Sequence, residues 1–390
     1  MKISFVALDF KPNVGGVAEF THQMAKSLHK AGESVTVISK RLEEDQQFDS
    51  SVDYSVRRLK SDQIHQDKNL TGYFKEYKVF SRTFDDLNPD VIVYNALGPN
   101  AEYRLGLFYS KLHSVPFGTF TYGREINRKT DIISNAKQYF SLNLADFVIP
   151  ISSSTDRITR EYPISNEQLK VINPGLDCDE WDRRLDQVKE PPDFLIENEI
   201  LDRPLILSLG RLTPRKGFDQ VINALSEVLK EVPDAVLVVA GQGDDHERLK
   251  SLVEKHQLHD HVYFPGYVRE KEKVGYYREA DVFAMPCRET ADGDIEGFGI
   301  VFLESQICGT PVVGGDQGGA RDAMIPGETG FLVDPDDTNE LAGSLKQLLT
   351  DKKLRERMTD RAQQFVREEM HWKFKGKEFR DFLQSLVEKR

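Results

Sequence analysis

The sequence predicts an α/β protein made of two doubly wound domains, each a parallel sheet with helices over its faces. Three observations lead to that fold class. Short apolar, β-branched runs alternate with apolar-periodic stretches along most of the chain, which is the signature of βαβ units. At 390 residues the chain exceeds one ordinary hydrophobic core. An acidic stretch at 176–204, carrying Pro191-Pro192, interrupts the alternation near the middle.

The first strand is residues 3–8, ISFVAL. Gly15 and Gly16 follow, then a periodic helix from about 17 to 31, with Gly32 as the residue that closes it. Residues 34–38 (SVTVI) make the second strand, and a weak one is expected at 54–59 within the polar stretch 41–69. A helix is predicted over 71–87, stopped near Asn88-Pro89. Strands at 91–94, 117–121, 147–151 and 170–172 complete the first series, with a helix over 134–146. The second series runs as strand 205–209, helix 217–230, strand 235–240, helix 245–255, strand 261–264, helix 271–278, strand 281–284, helix 299–308 and strand 311–313. Helices at 338–348, 352–366 and 374–388 end the chain. The boundary is expected at about 185–200, giving domains 1–190 and 200–372.

Composition excludes several function classes. With 39% hydrophobic and 30% charged residues the chain is globular rather than disordered. The net charge of −12, with its acidic excess in the second half, argues against nucleic acid as a partner. Cys178, Cys287 and Cys308 have no metal-ligand spacing, so neither a disulfide framework nor a zinc site is expected. MKISFVALD is too short for a signal sequence, and no run approaches about 18 apolar residues. A cytoplasmic protein is expected.

Four features carry chemistry. Gly15-Gly16 stands before a helix N-terminus, where backbone could approach an anionic ligand or make only a tight turn. In SLGRLTPRKG, Gly210, Arg211 and Lys216 lie between a strand and a helix. The two cations could clamp a diphosphate, or form a solvated basic turn. Glu304 is a misfit in the apolar helix GIVFLESQIC, where a carboxylate is costly unless it is paired or binds ligand hydroxyls. Glu296 precedes that helix and could serve sugar hydroxyls, and an internal ion pair is the alternative for these carboxylates. Gly314-Gly315 and Gly318-Gly319 read equally as a loop or a backbone anion site.

In order along the chain, the GG loop, SLGRLTPRKG, NPGLD at 173–177, AGQG at 240–243, GYV at 266–268, the E-x7-E of Glu296 and Glu304, and GTPVVGG at 309–315 together resemble a known family. The chain is similar to the retaining GT-B glycosyltransferases of family four. It is most similar to bacterial mannosyltransferases acting on phosphatidylinositol and to related lipid and polysaccharide glycosyltransferases. The resemblance implies two Rossmann-like domains facing across a cleft, the first binding acceptor and the second binding the nucleotide-sugar. It also implies that the final helix, about 374–390, packs back on the first domain. By the same resemblance Arg211 and Lys216 bind the donor diphosphate, with Gly210 in their loop. Glu304 takes the ribose, and Glu296 with the amides of Phe298, Gly299 and Ile300 takes the sugar. Tyr267 and Val268 line the base, and Gly15-Gly16 meet the phosphate. No cofactor or metal is implied, because the cations supply the charge.

One residue departs from the family pattern. Tyr122 in FTYGREI stands where a histidine is usual, and a phenol with a pKa of about 10 is no base near pH 7. It is expected to supply a hydroxyl contact, with Arg124 and Glu125 as neighbouring candidates. The expected reaction is transfer of a hexose, mannose from GDP-mannose or glucose from a UDP-sugar, to a lipid-linked, polysaccharide or small-molecule acceptor. A non-catalytic partner subunit and a sugar-nucleotide epimerase of the same fold are the alternatives. Residues 64–82 mix aromatics with Lys68, Lys75, Lys78 and Arg82. They read either as a peripheral contact with the inner face of a membrane or as a core-facing stripe. A monomer or homodimer is expected.

Overall fold

The computed structural model of the protein describes residues 1–13, 15–60, 70–95, 101–127, 139–162 and 164–388. The chain forms two compact units, Met1–Pro174 with Trp372–Arg390, and Gly175–His371.

In the first unit six strands pair in parallel: β1 (Lys2–Val6), β2 (Ser34–Lys40), β3 (Ser55–Leu59), β4 (Val91–Tyr94), β5 (Phe117–Thr121) and β6 (Phe147–Pro150). Their order is β3-β2-β1-β4-β5-β6. Every residue of β4, β5 and β6 is buried, as continuous apolar strands covered on both faces must be. The helices are α1 (Gly16–Lys30), α2 (Asp45–Ser50), α3 (Leu70–Leu87), α4 (Ala101–His113), α5 (Arg124–Asn127) and α6 (Ser153–Thr159). A capping box starts α6: Ser152 Oγ accepts from the Thr155 amide, and Thr155 Oγ1 accepts from the Ser152 amide.

The second unit repeats the plan with β7 (Leu205–Leu209), β8 (Val236–Ala240), β9 (Val262–Gly266), β10 (Val282–Met285), β11 (Val312–Gly315) and β12 (Gly330–Val333). The order is β12-β11-β10-β7-β8-β9, which is the first unit's order read from the other edge. Its helices are α7 (Cys178–Gln187), α8 (Asp193–Glu197), α9 (Phe218–Val228), α10 (His246–His256), α11 (Lys273–Glu279), α12 (Ile300–Ile307), α13 (Thr338–Thr350) and α14 (Lys352–Glu368). The last helix, α15 (Trp372–Glu388), belongs to the first unit and packs on α1. Ser27 Oγ donates to the Trp372 carbonyl at 2.7 Å, and the Phe379 ring packs at a tilt against Phe5 and Phe120.

Each unit is thus a Rossmann-like domain, and each sheet reverses its order between its first and fourth strands, β1/β4 and β7/β10. The crevice outside the carboxyl ends of those strands is where such sheets take ligands.

Several expectations need correction. Residues 170–172 are not a strand. They run extended beside β6, with only an isolated bridge between Val148 and Leu169 and single bonds from the Lys170 and Ile172 amides. The acidic stretch contains α7, started by Asp177 accepting from the Glu180 amide and anchored by buried Trp181. The short strand β12 and helix α4 were not anticipated. The first part of the helix expected over 134–146 lies outside the described residues.

Candidate functional site

The loop that leaves β7 is shaped by its neighbours. Gly210 N donates to the Ala240 carbonyl and Leu212 N to the Gln242 carbonyl, so SLGR and AGQG lie backbone to backbone. A Cβ on Gly241 would sit 1.8 Å from the Gly210 carbonyl oxygen, which explains the glycine there. The loop then makes a 3-10 turn, Pro214–Lys216, and Gly217 leads into α9 with φ +73°. A Cβ on Gly217 would lie 2.0 Å from the Pro286 carbonyl oxygen, just past β10. The turn bearing Lys216 is therefore pinned at the β7/β10 reversal.

Lys216 Nζ lies 2.6 Å from Glu296 Oε2, and the two side chains are only 9% and 12% exposed. Arg215 adds a guanidinium nitrogen 3.6 Å from the same oxygen and another 3.6 Å from Asp294. Burial alone would raise the Glu296 pKa. Lys216 and Arg215 outweigh it and hold the carboxyl below its usual range. Arg211 is different: it is exposed, and no side chain or carbonyl among the described residues holds its guanidinium. A buried, neutralised Lys–Glu pair in the same loop as an uncommitted guanidinium has the chemistry to receive an anion and a polyol.

Phe298 is buried, and Gly299 (φ +88°) opens α12. Ile300 is its first residue. The second glycine pair serves the protein itself: Gly319 N donates to the Glu296 carbonyl, and a Cβ there would lie 2.2 Å from the Gly297 oxygen. Close packing on the 296–298 backbone accounts for Gly318-Gly319 without an anion. Glu304 is 7% exposed, accepts from the Tyr277 hydroxyl at 2.9 Å and has Lys273 Nζ at 3.6 Å. Tyr267 is 60% exposed after Gly266, and Val268 is buried.

The other candidates belong to the first unit. Gly15 and Gly16 start α1, and a Cβ on either would meet nothing within 4 Å among the described residues. Tyr122 follows β5 and donates its hydroxyl to Asn95 Oδ1 at 2.6 Å, and Asn95 Nδ2 donates to the Val17 carbonyl. Burial, with the Glu125 charge, raises the Tyr122 pKa well above its usual value. Glu125 accepts from the Tyr122 amide, and burial raises its own pKa. The Arg124 side chain lies outside the described residues.

The basic aromatic stretch divides. Residues 64–69 and the Tyr73 side chain lie outside the described residues. Phe80 and Phe84 are buried, whereas Phe74 is 66% exposed with Lys78 over its ring. On α4, Phe108 and Leu112 are also exposed. Arg215, Lys273, Tyr277 and Asn95 join the candidates only through the structure. Arg215 could have been found as a second cation in the same turn, and Asn95 as the polar residue directly after an all-apolar strand. Among the described residues no group of three or more His, Cys, Asp or Glu side chains could hold a metal ion, and no helix is long and apolar enough to cross a membrane.

The profile of Glycosyltransferase Family 4 matches residues 14–180, and that of Glycosyl transferases group 1 matches 192–365. The chain is 28% identical over 393 residues to a GDP-mannose-dependent alpha-(1-6)-phosphatidylinositol monomannoside mannosyltransferase of Mycolicibacterium smegmatis, covering 99% of both chains. A protein of the same description from Mycobacterium tuberculosis is 32% identical over 263 residues, 67% of this chain and 64% of the relative. Among solved structures, Anabaena Alr3699/HepE in complex with UDP has a TM-score of 0.80 at 19% identity, covering 99% of this chain and all of that one. A glycosyltransferase from Rickettsia africae has a TM-score of 0.79 at 20% identity, covering 99% and 98%.

Proposed function

This chain belongs to the family-four glycosyltransferases of the GT-B fold and is a nucleotide-sugar-dependent hexosyltransferase, and from that premise we propose that it transfers mannose from GDP-mannose, with retention of configuration, to a lipid-linked acceptor. The observation that carries the reading is the Lys216–Glu296 pair at the β7/β10 reversal. The choice of donor and acceptor class is supported by similarity over nearly the whole length of a GDP-mannose-dependent lipid mannosyltransferase.

In this mechanism Arg211 and Lys216 bind the diphosphate and stabilise the charge that grows on it as the glycosidic bond breaks. Glu296, ionised and held by Lys216, accepts hydrogen bonds from the sugar hydroxyls. The amides of Phe298, Gly299 and Ile300 stand at the start of α12 to meet sugar or phosphate oxygens. Glu304 takes the ribose hydroxyls, and Tyr267 and Val268 flank the base. The acceptor hydroxyl attacks from the side of the leaving phosphate, whose oxygen takes its proton. Tyr122 supplies a hydroxyl contact and no base, because its pKa is raised and its proton is already donated to Asn95. The two cations do the work a divalent ion would do, so the reaction as proposed needs none. Gly15 and Gly16 leave open backbone at the start of α1 for an anionic group. Exposed Phe74, Phe108 and Leu112, with Lys75 and Lys78 on α3, support a peripheral membrane contact that presents the acceptor.

Proton NMR of the product formed from GDP-mannose tests the reading. An α-mannoside is expected. A β-linked product, or turnover of UDP-glucose with none of GDP-mannose, would overturn it.

A further inference from the structure

Glu304 lies within α12 among buried Phe302, Leu303 and Ile307, and a carboxylate there needs partners. Two side chains one turn apart on α11 supply them. Tyr277 donates its hydroxyl to Oε2 at 2.9 Å, and Lys273 sets its ammonium 3.6 Å from the same oxygen. The i,i+4 spacing puts both on one face of the helix. Both contacts fall on Oε2, and Oε1 has no partner among the described residues.

Neither partner is loosely held. Lys273 also pairs with Glu270 at 2.6 Å, and Glu270 in turn meets Arg184 at 3.4 Å. The Tyr277 ring is fully buried, with Trp181 and Phe283 beside it at 6.3 and 5.8 Å between centroids. Thr310 donates to the Tyr277 carbonyl. Burial pulls the Lys273 pKa down, but Glu304 and Glu270 outweigh it, so the ammonium stays charged. Burial, reinforced by Glu304, keeps Tyr277 a phenol that can only donate toward the carboxylate. A carboxylate gripped by one oxygen through an ionic contact and a charge-assisted hydrogen bond cannot rotate freely.

We propose that Lys273 and Tyr277 are positioning residues: they fix Glu304 by Oε2 so that Oε1 is presented to the 2′,3′-diol of the nucleotide ribose. The proposal deepens the reading above and rests on Glu304 being the ribose carboxylate. Selection of ribonucleotide over deoxynucleotide donors then depends on two residues that never touch the nucleotide.

The test is calorimetric binding of GDP and UDP and of their 2′,3′-dideoxy analogues to the full chain, as wild type, Tyr277→Phe and Lys273→Met. Hydrogen bonds to a charged group are the strong ones, so wild type should prefer the ribose form by at least about tenfold. In both variants that preference should fall to within about threefold, while affinity for the dideoxy form stays near the wild-type value. Equal weakening of both forms, with the preference intact, is what a purely structural role gives and would overturn the proposal. Tyr277→Phe keeps the ring and its packing, so it decides the question should Lys273→Met fail to fold. A wild type with no preference would instead overturn the role of Glu304 itself.

Discussion

Lys216 and Glu296 show how much one residue's setting can be read from sequence. Each stood out locally, Lys216 between an apolar strand and a helix, Glu296 before an apolar helix. Their contact spans 80 positions and depends on β10 lying beside β7, which no local pattern encodes. Glu304 was legible as a misfit, but its partners were not. Lys273 and Tyr277 look like ordinary residues of an amphipathic helix until the fold sets α11 against α12. Arg211→Ala and Lys216→Ala should each lower kcat by at least about tenfold, since on the proposed mechanism charge develops on the diphosphate they hold. Steady-state kinetics showing unchanged kcat and kcat/KM in both would remove them from the site. The Glu296 carboxyl also makes a pH prediction. Its pKa is depressed below about 4.5 in the folded chain, so its contribution to stability is full above that value and is lost as pH falls through the lower folded pKa. Lys216→Met should therefore show a smaller rise in thermal stability than wild type between about pH 3 and 6. Superimposable acid-side curves in melts followed by circular dichroism would refute the pairing.

Elements were legible where period and punctuation agreed. The strand that begins at Ser34 and the helix that ends at Leu87, before Asn88-Pro89, fall where turn residues mark them. Residues 170–172 carry an apolar pattern but lie beyond the last ladder of the first sheet, so they pair only singly with β6. α7 was obscured by its acidic composition, although Asp177 is an ordinary N-cap and Trp181 its buried anchor. β12 has only four residues and no alternation to reveal it. The docking of α15 on α1 gives a paired prediction. A Cβ on Gly376 would sit 2.0 Å from Ser27 Oγ, whereas one on Gly343, in α13, would meet nothing within 4 Å. Gly343→Ala should stabilise by about 0.5–1 kcal/mol, as in any exposed helix interior. Gly376→Ala should destabilise by about 1–3 kcal/mol, through overpacking at the helix contact. Urea melts giving the two substitutions the same sign would show that the contact at Gly376 is not tight.

For the whole molecule, the alternation of strands and helices was enough to indicate two doubly wound sheets, because a parallel connection needs a covering helix. The strand order within each sheet was not legible, and it is that order which puts Lys216, Glu296 and the start of α12 at one reversal point. On the proposed reading the base lies against the main chain near Gly266, where side-chain identity carries no signal. On the proposed function this reversal point receives a nucleotide-sugar through Arg211 and Lys216 without a divalent ion. Nucleotide release, followed by mass spectrometry over a panel of GDP- and UDP-sugars in excess EDTA, tests it most directly. Release at undiminished rate, fastest from GDP-mannose, is expected. Release from no sugar nucleotide, or only after Mg²⁺ or Mn²⁺ is restored, would contradict it.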